Sequence, residues 1–468
     1  MILPEIAYLK SQIENHISLF FNEKAHRLFN DESVRFLPYA EAVNIKEKIV
    51  AIPHDIPGLQ KPDKPFKVKF NGVELTLWNR MNPPSVGDWK SIPDESTPLW
   101  YQNNYGTLIP AWNLFGNLFH LLTFGEEIGS NQKDKHGRFI AAFSPRLLDG
   151  LLDVPAFNES VAALVAACDG LQSDVHPRFV LDNLLKPPVI VLSHDCDILT
   201  GNDFWTQSVR AYRILLPLAK IRLPKLDNLW WIIRNALSPR KFYFDNVIGM
   251  IDLERCFGYN STFYLLNGDG GRFGARSGLY IIPELIKRIP SGWNVGMHYN
   301  YDTFLNDAKF QLQLTQLKNI DQTICTTGRA HYLRFSPSQS FSFLQKYGIN
   351  VDESSGYADR IGYRNGIAGC FQAYDPVSRK GMDIWEVPLT VMDAVLVKQY
   401  GKKAIPMFSK LIHHLSHIGG ALSVVFHPGQ FHNPEHKQML DIYHKMLIEC
   451  HNVGAVSKTA RSLVDEIR

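Results

Sequence analysis

An apolar run, Val189-Ile190-Val191-Leu192, gives way at once to Ser193-His194-Asp195-Cys196-Asp197. Two carboxylates at the end of a strand are costly to bury unless a cation or hydrogen bonds compensate them. Asp195 and Asp197 are two apart, so an extended backbone turns both side chains to one face. Taken alone, such a D-x-D is as readily a polar strand end that caps the next turn. A second apolar run, Val295-Gly296-Met297, ends in His298-Tyr299-Asn300-Tyr301-Asp302. His298 and Asp302 are four apart, and a helical turn starting there would let both grip one cation. A third run, Leu422-Ser423-Val424-Val425-Phe426, ends in His427-Pro428-Gly429. Three strands that each finish in ionisable groups point to chemistry at one sheet edge more than to three unrelated caps.

Such groups need a frame that gathers strand ends. From Pro187-Pro188 onward, short apolar runs alternate with helical stretches, the pattern of βα units. The strands expected are Val189–Leu192, Thr262–Leu266, Asn294–Met297, Thr323–Gly328, a short one near Val351, Glu386–Met392 and Leu422–Phe426. The clearest helices are Ile405–Ile418, stopped by Gly419-Gly420, and Pro434–Cys450. About seven such strands predict a parallel β/α barrel, with an open doubly wound sheet as the alternative. Both place ligands at the carboxyl ends of strands. Before the prolines, Asn158–Leu171 reads as a helix with Val161, Leu164, Val165 and Cys168 on one face. Phe66–Phe70, Asn71-Gly72 and Val73–Leu77 read as a β-hairpin with a two-residue turn. Ile109–Phe124 reads as a helix. The chain therefore divides into an α+β unit, 1–185, and an α/β unit, 186–468.

The ordered set LSHDCD, GYNSTFYLL, VGMHYNYD, GRAHYLRF, DESSGYADRIGYRNG, WEVPLTVMD and VVFHPGQF resembles the polysaccharide deacetylases of carbohydrate esterase family 4, the NodB-type homology domain. The likeness is to a divergent branch whose first motif is H-D-x-D and not T-F-D-D, and it spans residues 187–468. Leu121–Phe139 also looks like the N-terminal domain that precedes this branch. The resemblance implies a distorted (β/α)7 barrel, a divalent metal, usually zinc, and an acetylated saccharide as substrate. It makes Asp195 the catalytic base, Asp197 a metal-binding carboxylate and His298 the first histidine of an H-x-x-x-H metal motif. Asp302 stands where the second histidine belongs. A carboxylate can replace imidazole on zinc; alternatively Asp302 lies outside the ligand set and His331 or water completes it. Arg329 matches the arginine that holds the catalytic carboxylate, and His427 the histidine that protonates the leaving amine. A backbone N–H near Tyr332 would join the metal in stabilising the oxyanion. His331, Tyr332, Arg334 and Arg364 would face the substrate. Arg334, Arg360 and Arg364 could hold a carboxylate or phosphate, or serve as structural ion pairs.

Composition narrows the alternatives. Net charge is +3 over 468 residues, with 45% hydrophobic and 20% charged residues, an ordinary globular balance with no basis for a nucleic-acid partner. The six cysteines have no C-x-x-C spacing and read as free thiols of a reducing compartment. The N-terminus carries charges where a signal peptide would be apolar, and no window is long enough to span a membrane. A cytoplasmic enzyme is expected, with the oligomeric state open. His413, His414 and His417 read as surface helical histidines, not a metal site. Gly268–Gly274 reads as a βα loop, not a phosphate cradle. Asp393 could tune a catalytic histidine or be structural. A catalytically inactive carbohydrate-binding barrel and a metal-dependent hydrolase of a non-sugar amide remain alternative functions.

Overall fold

The computed structural model describes residues 3–468 except 57–61, 64, 94–96, 173–179, 182, 200–203, 220–228, 231, 234–236, 238, 269–272, 276–277 and 431–437. In the first half, β1 (Val34–Leu37), β2 (Val50–Pro53), β5 (Trp89–Ile92), β6 (Trp100–Asn103) and β7 (Leu108–Pro110) form one sheet in the order β1-β2-β7-β6-β5. Strands β3 (Phe66–Phe70) and β4 (Val73–Leu77) form the expected hairpin, in register from Phe66 opposite Leu77 to Phe70 opposite Val73. Its turn residues, Asn71 and Gly72, both have positive φ, 44° and 81°, as a two-residue hairpin of this twist requires. The helix expected from Ile109 begins only at Leu114. Pro110 cannot sit inside a helical ladder, and the segment before it is β7 instead. Asn113 then caps the helix Leu114–Leu122 by accepting from the Gly116 N–H. The helix Ala156–Leu171 differs from expectation in another way. It is buried on nearly all sides, not along one face, because it packs against β2, β4 and the helices Pro4–Phe20, Leu114–Leu122 and Ala404–Ile418.

Continuous apolar runs make strands covered on both faces, and the second half is built on them. Strands β8 (Val189–Cys196) and β9 (Ser261–Leu266) are buried throughout. They are followed by β10 (Asn294–Tyr299), β11 (Thr327–Ala330), β12 (Val351–Asp352), β13 (Phe371–Asp375), β14 (Lys380–Glu386), β15 (Val391–Met392), β16 (Ala421–Val425) and β17 (Val456–Ser457). The sheet order is β13-β14-β12-β11-β10-β9-β8-β16-β15, with β17 beside the start of β8. All pairings are parallel except β13 with β14. Two expected strands shift. Residues 322–326 coil as a 3-10 turn before β11. The run expected over Glu386–Met392 splits into the end of β14 and the two residues of β15. Strand β13, which turns back on β14, was not expected.

The sheet is a curled α/β sheet, and among the described residues it does not close, since β13 and β15 end it. Residues 353–370 cross the opening. Irregular buried backbone must find its partners locally, and this segment does so on both sides. Ser355 N–H donates to Glu386 (2.7 Å) and Gly362 N–H to Thr390 O (3.0 Å). Ala368 O accepts from Ala421 N–H (3.0 Å). One hydrophobic cluster joins the two halves, running from Leu9 and Phe20 through Phe157 and Val191 to Leu463. The described cysteines Cys168, Cys196, Cys256, Cys370 and Cys450 are free thiols.

Candidate metal centre and catalytic cleft

Strand alternation sets the first residues. Along β8, His194 points to the outer side, where Nδ1 donates to Phe426 O (2.9 Å) and Nε2 meets Glu254 (2.7 Å). Asp195 and Asp197 point the other way, and both carboxylates reach His298, at 3.7 and 3.2 Å. His298 is still within β10. The helical turn that would have put Asp302 on its face does not form there. A 3-10 turn, Tyr301–Thr303, follows, and the Asp302 carboxylate pairs with Lys309 (2.5 Å). Asp302 thus lies apart from His298's partners, and His331 stands in its place. The His331 Nε2 is 3.6 Å from the second oxygen of Asp197.

Asp197, His298 and His331 each offer a ligand atom, and these atoms lie within 4.8 Å of one another. Their chemistry fits a cation. His298 Nδ1 donates to Arg329 O (2.9 Å), which turns Nε2 towards Asp197 at 3.2 Å. Buried polar atoms nearly always have a partner, yet among the described residues Asp197 Oδ1, His298 Nε2 and His331 Nδ1 make no hydrogen bond. Burial works against the Asp197 charge, but His331 first and then His298 hold its carboxyl well below the ordinary range. Two imidazoles and a carboxylate form a donor set that suits a divalent cation.

Around this group sit two supported side chains. Asp195 is buried and accepts from Arg329 Nη1 (2.8 Å). Arg329 is wholly buried; it also donates to Ser193 Oγ (2.8 Å) and the Glu353 carboxylate (2.5 Å) and lies 4.7 Å over the Tyr264 ring. Burial would raise the pKa of Asp195, but Arg329, His298 and His427 outweigh it and keep the carboxylate charged. His427 Nε2 lies 3.8 Å from Asp195, and its Nδ1 is 3.0 Å from Asp393. Asp393 also accepts from the backbone N–H of His427 (2.8 Å), so it fixes both ring and main chain. Burial lowers the imidazole pKa, yet Asp393, Asp195 and Asp197 together raise it to about 10.

These residues open on a cleft of about 470 Å³ lined by Asp195, Asp197, His331, Tyr332 and His427. Its far wall comes from the first half of the chain. In Asp134-Lys135-His136-Gly137-Arg138, the Asp134 carboxylate accepts from the N–H groups of His136 and Arg138 (2.9 and 3.0 Å) and from Arg138 Nε (3.0 Å). Arg138 Nη1 then donates to Tyr332 O (2.6 Å), and His136 Nδ1 lies 3.1 Å from the Tyr301 hydroxyl. Tyr332 and Leu333 both have positive φ, 62° and 50°, a conformation strained for L-residues. The Arg138 bond therefore lands on a strained turn. The rings of His136, Phe273, Tyr301 and Tyr332 pack edge to face and tilted at 4.9–5.8 Å between centroids.

Residues 3–171 match a family of unknown function (DUF7033). No curated protein matches the chain. Among solved structures, a protein from Mycobacterium smegmatis assigned to the polysaccharide deacetylases is 14% identical, with TM-score 0.40, over 60% of this chain and 91% of that one. A family 4 carbohydrate esterase from Streptomyces lividans, in complex with acetate, is 10% identical with TM-score 0.30, over 59% and 95%. A polysaccharide deacetylase from Bacillus cereus is 11% identical with TM-score 0.31, over 58% and 92%.

Two of the expected substrate contacts lie elsewhere. Arg364 is buried in a two-bond pair with Glu127 (2.6 and 2.5 Å) and donates to Gly356 O, so its charge is spent inside the protein. Arg334 donates to Tyr301 O (2.9 Å) and stacks on Tyr301 and Phe304, behind the cleft wall. Arg360 is exposed. His414 pairs with Glu159 (2.8 Å) and His417 with Asn71 O (2.7 Å). Residues 269–272 of the glycine-rich loop lie outside the described residues. Sequence reasoning missed Glu353, His136 and Arg138. Glu353 follows Asp352 at a strand end, the signal already used for Asp195. Nothing in the sequence places 134–138 beside 332.

Proposed function

We propose that this chain is a metal-dependent hydrolase that removes acetyl groups from an N-acetylated saccharide. The observation that carries it is the bare ligand trio Asp197, His298 and His331 directly beside an arginine-held carboxylate and an aspartate-backed imidazole in one cleft. The order of motifs along the chain supplies the substrate class. A zinc-like cation held by the trio would polarise the acetyl carbonyl and make water easier to deprotonate. Asp195, oriented by Arg329, takes the proton of the attacking water. The Tyr332 N–H stabilises charge on the carbonyl oxygen as the tetrahedral centre forms. His427, protonated and aimed by Asp393, gives its proton to the departing sugar nitrogen, and acetate leaves. Asp302 takes no ligand role in this reading. The units 1–185 and 186–468 act together, the first supplying one wall of the cleft.

The experiment is metal analysis of the purified chain with acetate release from N-acetylated sugars. The wild type should carry about one metal ion and release acetate; Asp195→Asn should keep the metal and lose turnover by about 10²–10⁴-fold. A wild type that holds metal but frees no acetate from any acetylated saccharide would overturn the reading.

A further inference from the structure

The loop Asp134–Arg138 comes from the first half of the chain, yet its side chains meet the cleft of the second. Loops that carry function are held in place by the scaffold beneath them, and this one is held at every turn. It closes on itself: Asp134 N–H donates to Arg138 O (2.9 Å) and Gly137 N–H to Asp134 O (2.9 Å). Gly137 supplies the positive φ, 78°, that such a turn needs. The Asp134 carboxylate fixes the N–H groups of His136 and Arg138. His136 is half-buried and lines the cleft. Its ring lies 5.8 Å from that of Tyr301 and 5.4 Å from that of Tyr332, and the Tyr301 hydroxyl takes its Nδ1 at 3.1 Å. The imidazole is thus aimed, while its Nε2 makes no hydrogen bond among the described residues.

The chemistry of that nitrogen says what it meets. Burial, then the neighbouring Arg138, keeps the imidazole below its ordinary pKa, so the ring is neutral. A neutral imidazole with one nitrogen engaged offers at the other either a donor or a lone pair, according to its tautomer. A hydroxyl answers both, being donor and acceptor at once; a carboxylate or an ammonium answers only one. The cation beside it, Arg138, is held by Asp134 and by Tyr332 O. Position then says whose hydroxyl it is. The rings of His331, Tyr332 and His136 follow one another in steps of 4.7 and 5.4 Å, from the candidate metal ligand to the loop. An acetamide at the Asp197, His298 and His331 trio fills the start of that row, and the sugar that carries it lies along the rest. We propose that His136 is a saccharide-binding residue, whose Nε2 holds a hydroxyl of the acetylated sugar. The inference rests on the deacetylase reading of the cleft, and it makes the first half of the chain a part of substrate selection. A side chain already fixed on two sides before the sugar arrives loses little freedom on binding it.

Binding is read apart from turnover by titration calorimetry on the metal-loaded Asp195→Asn chain with N-acetylglucosamine, N-acetylgalactosamine and di-N-acetylchitobiose. At least one of these sugars should bind. Placed in that chain, His136→Ala and His136→Phe should each weaken its binding about 3–10-fold, the loss of one neutral hydrogen bond. His136→Phe keeps a ring against Tyr301 and Tyr332, so its loss is not that of an emptied site. His136→Gln, whose amide donates and accepts at a similar reach, should recover most of the affinity. Among the monodeoxy forms of the sugar, one should bind the His136 and the His136→Phe chains alike, because the hydroxyl that His136 holds is already gone. With Asp195 restored, the loss in kcat/KM should be carried by KM. A chain that binds none of the three sugars overturns the proposal. So does equal affinity with and without His136→Phe, or a His136→Phe loss that is the same for every monodeoxy form. Acetate release with a KM that His136→Phe leaves unmoved strikes the saccharide contact and keeps the deacetylase; binding that depends on His136 in a chain that frees no acetate does the reverse.

Discussion

Arg138→Ala would test whether the first unit helps to build the cleft or only lies beside it. Tyr332 and Leu333 are consecutive residues with positive φ, and such backbone costs an L-residue about 1–2 kcal/mol each. The Arg138–Tyr332 bond, 2.6 Å and half-buried, is a charge-assisted bond worth about 1.5–3 kcal/mol. The two magnitudes are of the same order, so removing the bond lets the turn relax. Complete loss of an oxyanion donor costs about 10²–10³-fold. A turn that spends part of its time relaxed should lose less, so kcat should fall about 10–100-fold while KM changes little. In a chain this long the lost bond should lower Tm by only about 1–3 °C. Arg138→Lys keeps a cation but loses the fork that Asp134 holds, and should recover part of the rate. The assay is initial-rate acetate release with metal content measured on the same samples. An unchanged kcat, or a loss of rate that follows a loss of metal, would refute the reasoning.

Three other perturbations divide the roles of the site. His298→Ala and His331→Ala should each strip the metal with little loss of fold, whereas Asp302→Asn should leave metal content unchanged; elemental analysis reads all three, and full occupancy in His331→Ala would return the third place to another residue. His427→Ala should slow amide cleavage at least tenfold more than cleavage of an activated acetyl ester, because a good leaving group needs no proton; equal losses would mean that His427 shapes the cleft and does not act as the acid. Glu386→Gln should flatten the dependence of stability on pH. Burial, then Asp352 across the β12–β14 pairing, holds the Glu386 carboxyl well above its ordinary value, so the folded chain keeps a proton that the unfolded chain has released. Stability should therefore fall as pH rises from the ordinary carboxylate range towards the folded value, by up to about 1.4 kcal/mol per pH unit. Denaturant titrations at several pH values should show a shallower slope in the variant; an unchanged slope would place the proton elsewhere.

What was legible in the sequence was what local rules decide. The two-residue alternation of β8 puts Asp195 and Asp197 side by side, and both do reach His298. The Asn71-Gly72 turn specifies its hairpin register outright. Errors came where an element had to end. The His298–Asp302 pairing assumed a helical turn one residue after Met297, but β10 continues to Tyr299 because β9 still pairs with it at His298 and β11 at Tyr299. Pairing is a property of the neighbouring strands, so spacing within 294–302 could not supply it. The same holds for Glu386–Met392, one apolar run in sequence but two strands in space, separated where residues 353–370 take up the Thr390 carbonyl and the Glu386 carboxylate.

Charge pairing set a stricter limit. Arg329 lies in β11 and Arg364 in the irregular segment between β12 and β13, and the sequence does not tell their tasks apart. What separates them is the acid they meet. Arg329 finds Asp195, whose other oxygen faces His298 and His427, so its charge is passed on to the cleft. Arg364 finds Glu127, from the first half of the chain, which takes its Nε and one Nη, and Gly356 O takes the other Nη, so no donor nitrogen is left for a substrate. Arg146 repeats that pattern on Glu126 and reaches the carbonyls of Tyr363 and Arg364. Glu126 and Glu127 thus hold two buried arginines on opposite sides of one interface, a network that is costly to break at any single member. Through it the first unit grips residues 363–364, and through Arg138 it grips Tyr332. A cleft whose strained turn is held from outside its own sheet depends on residues 134–138 being in place, and on the function proposed above that gives the stretch 3–171, which matches a family of unknown function, a physical part in the chemistry.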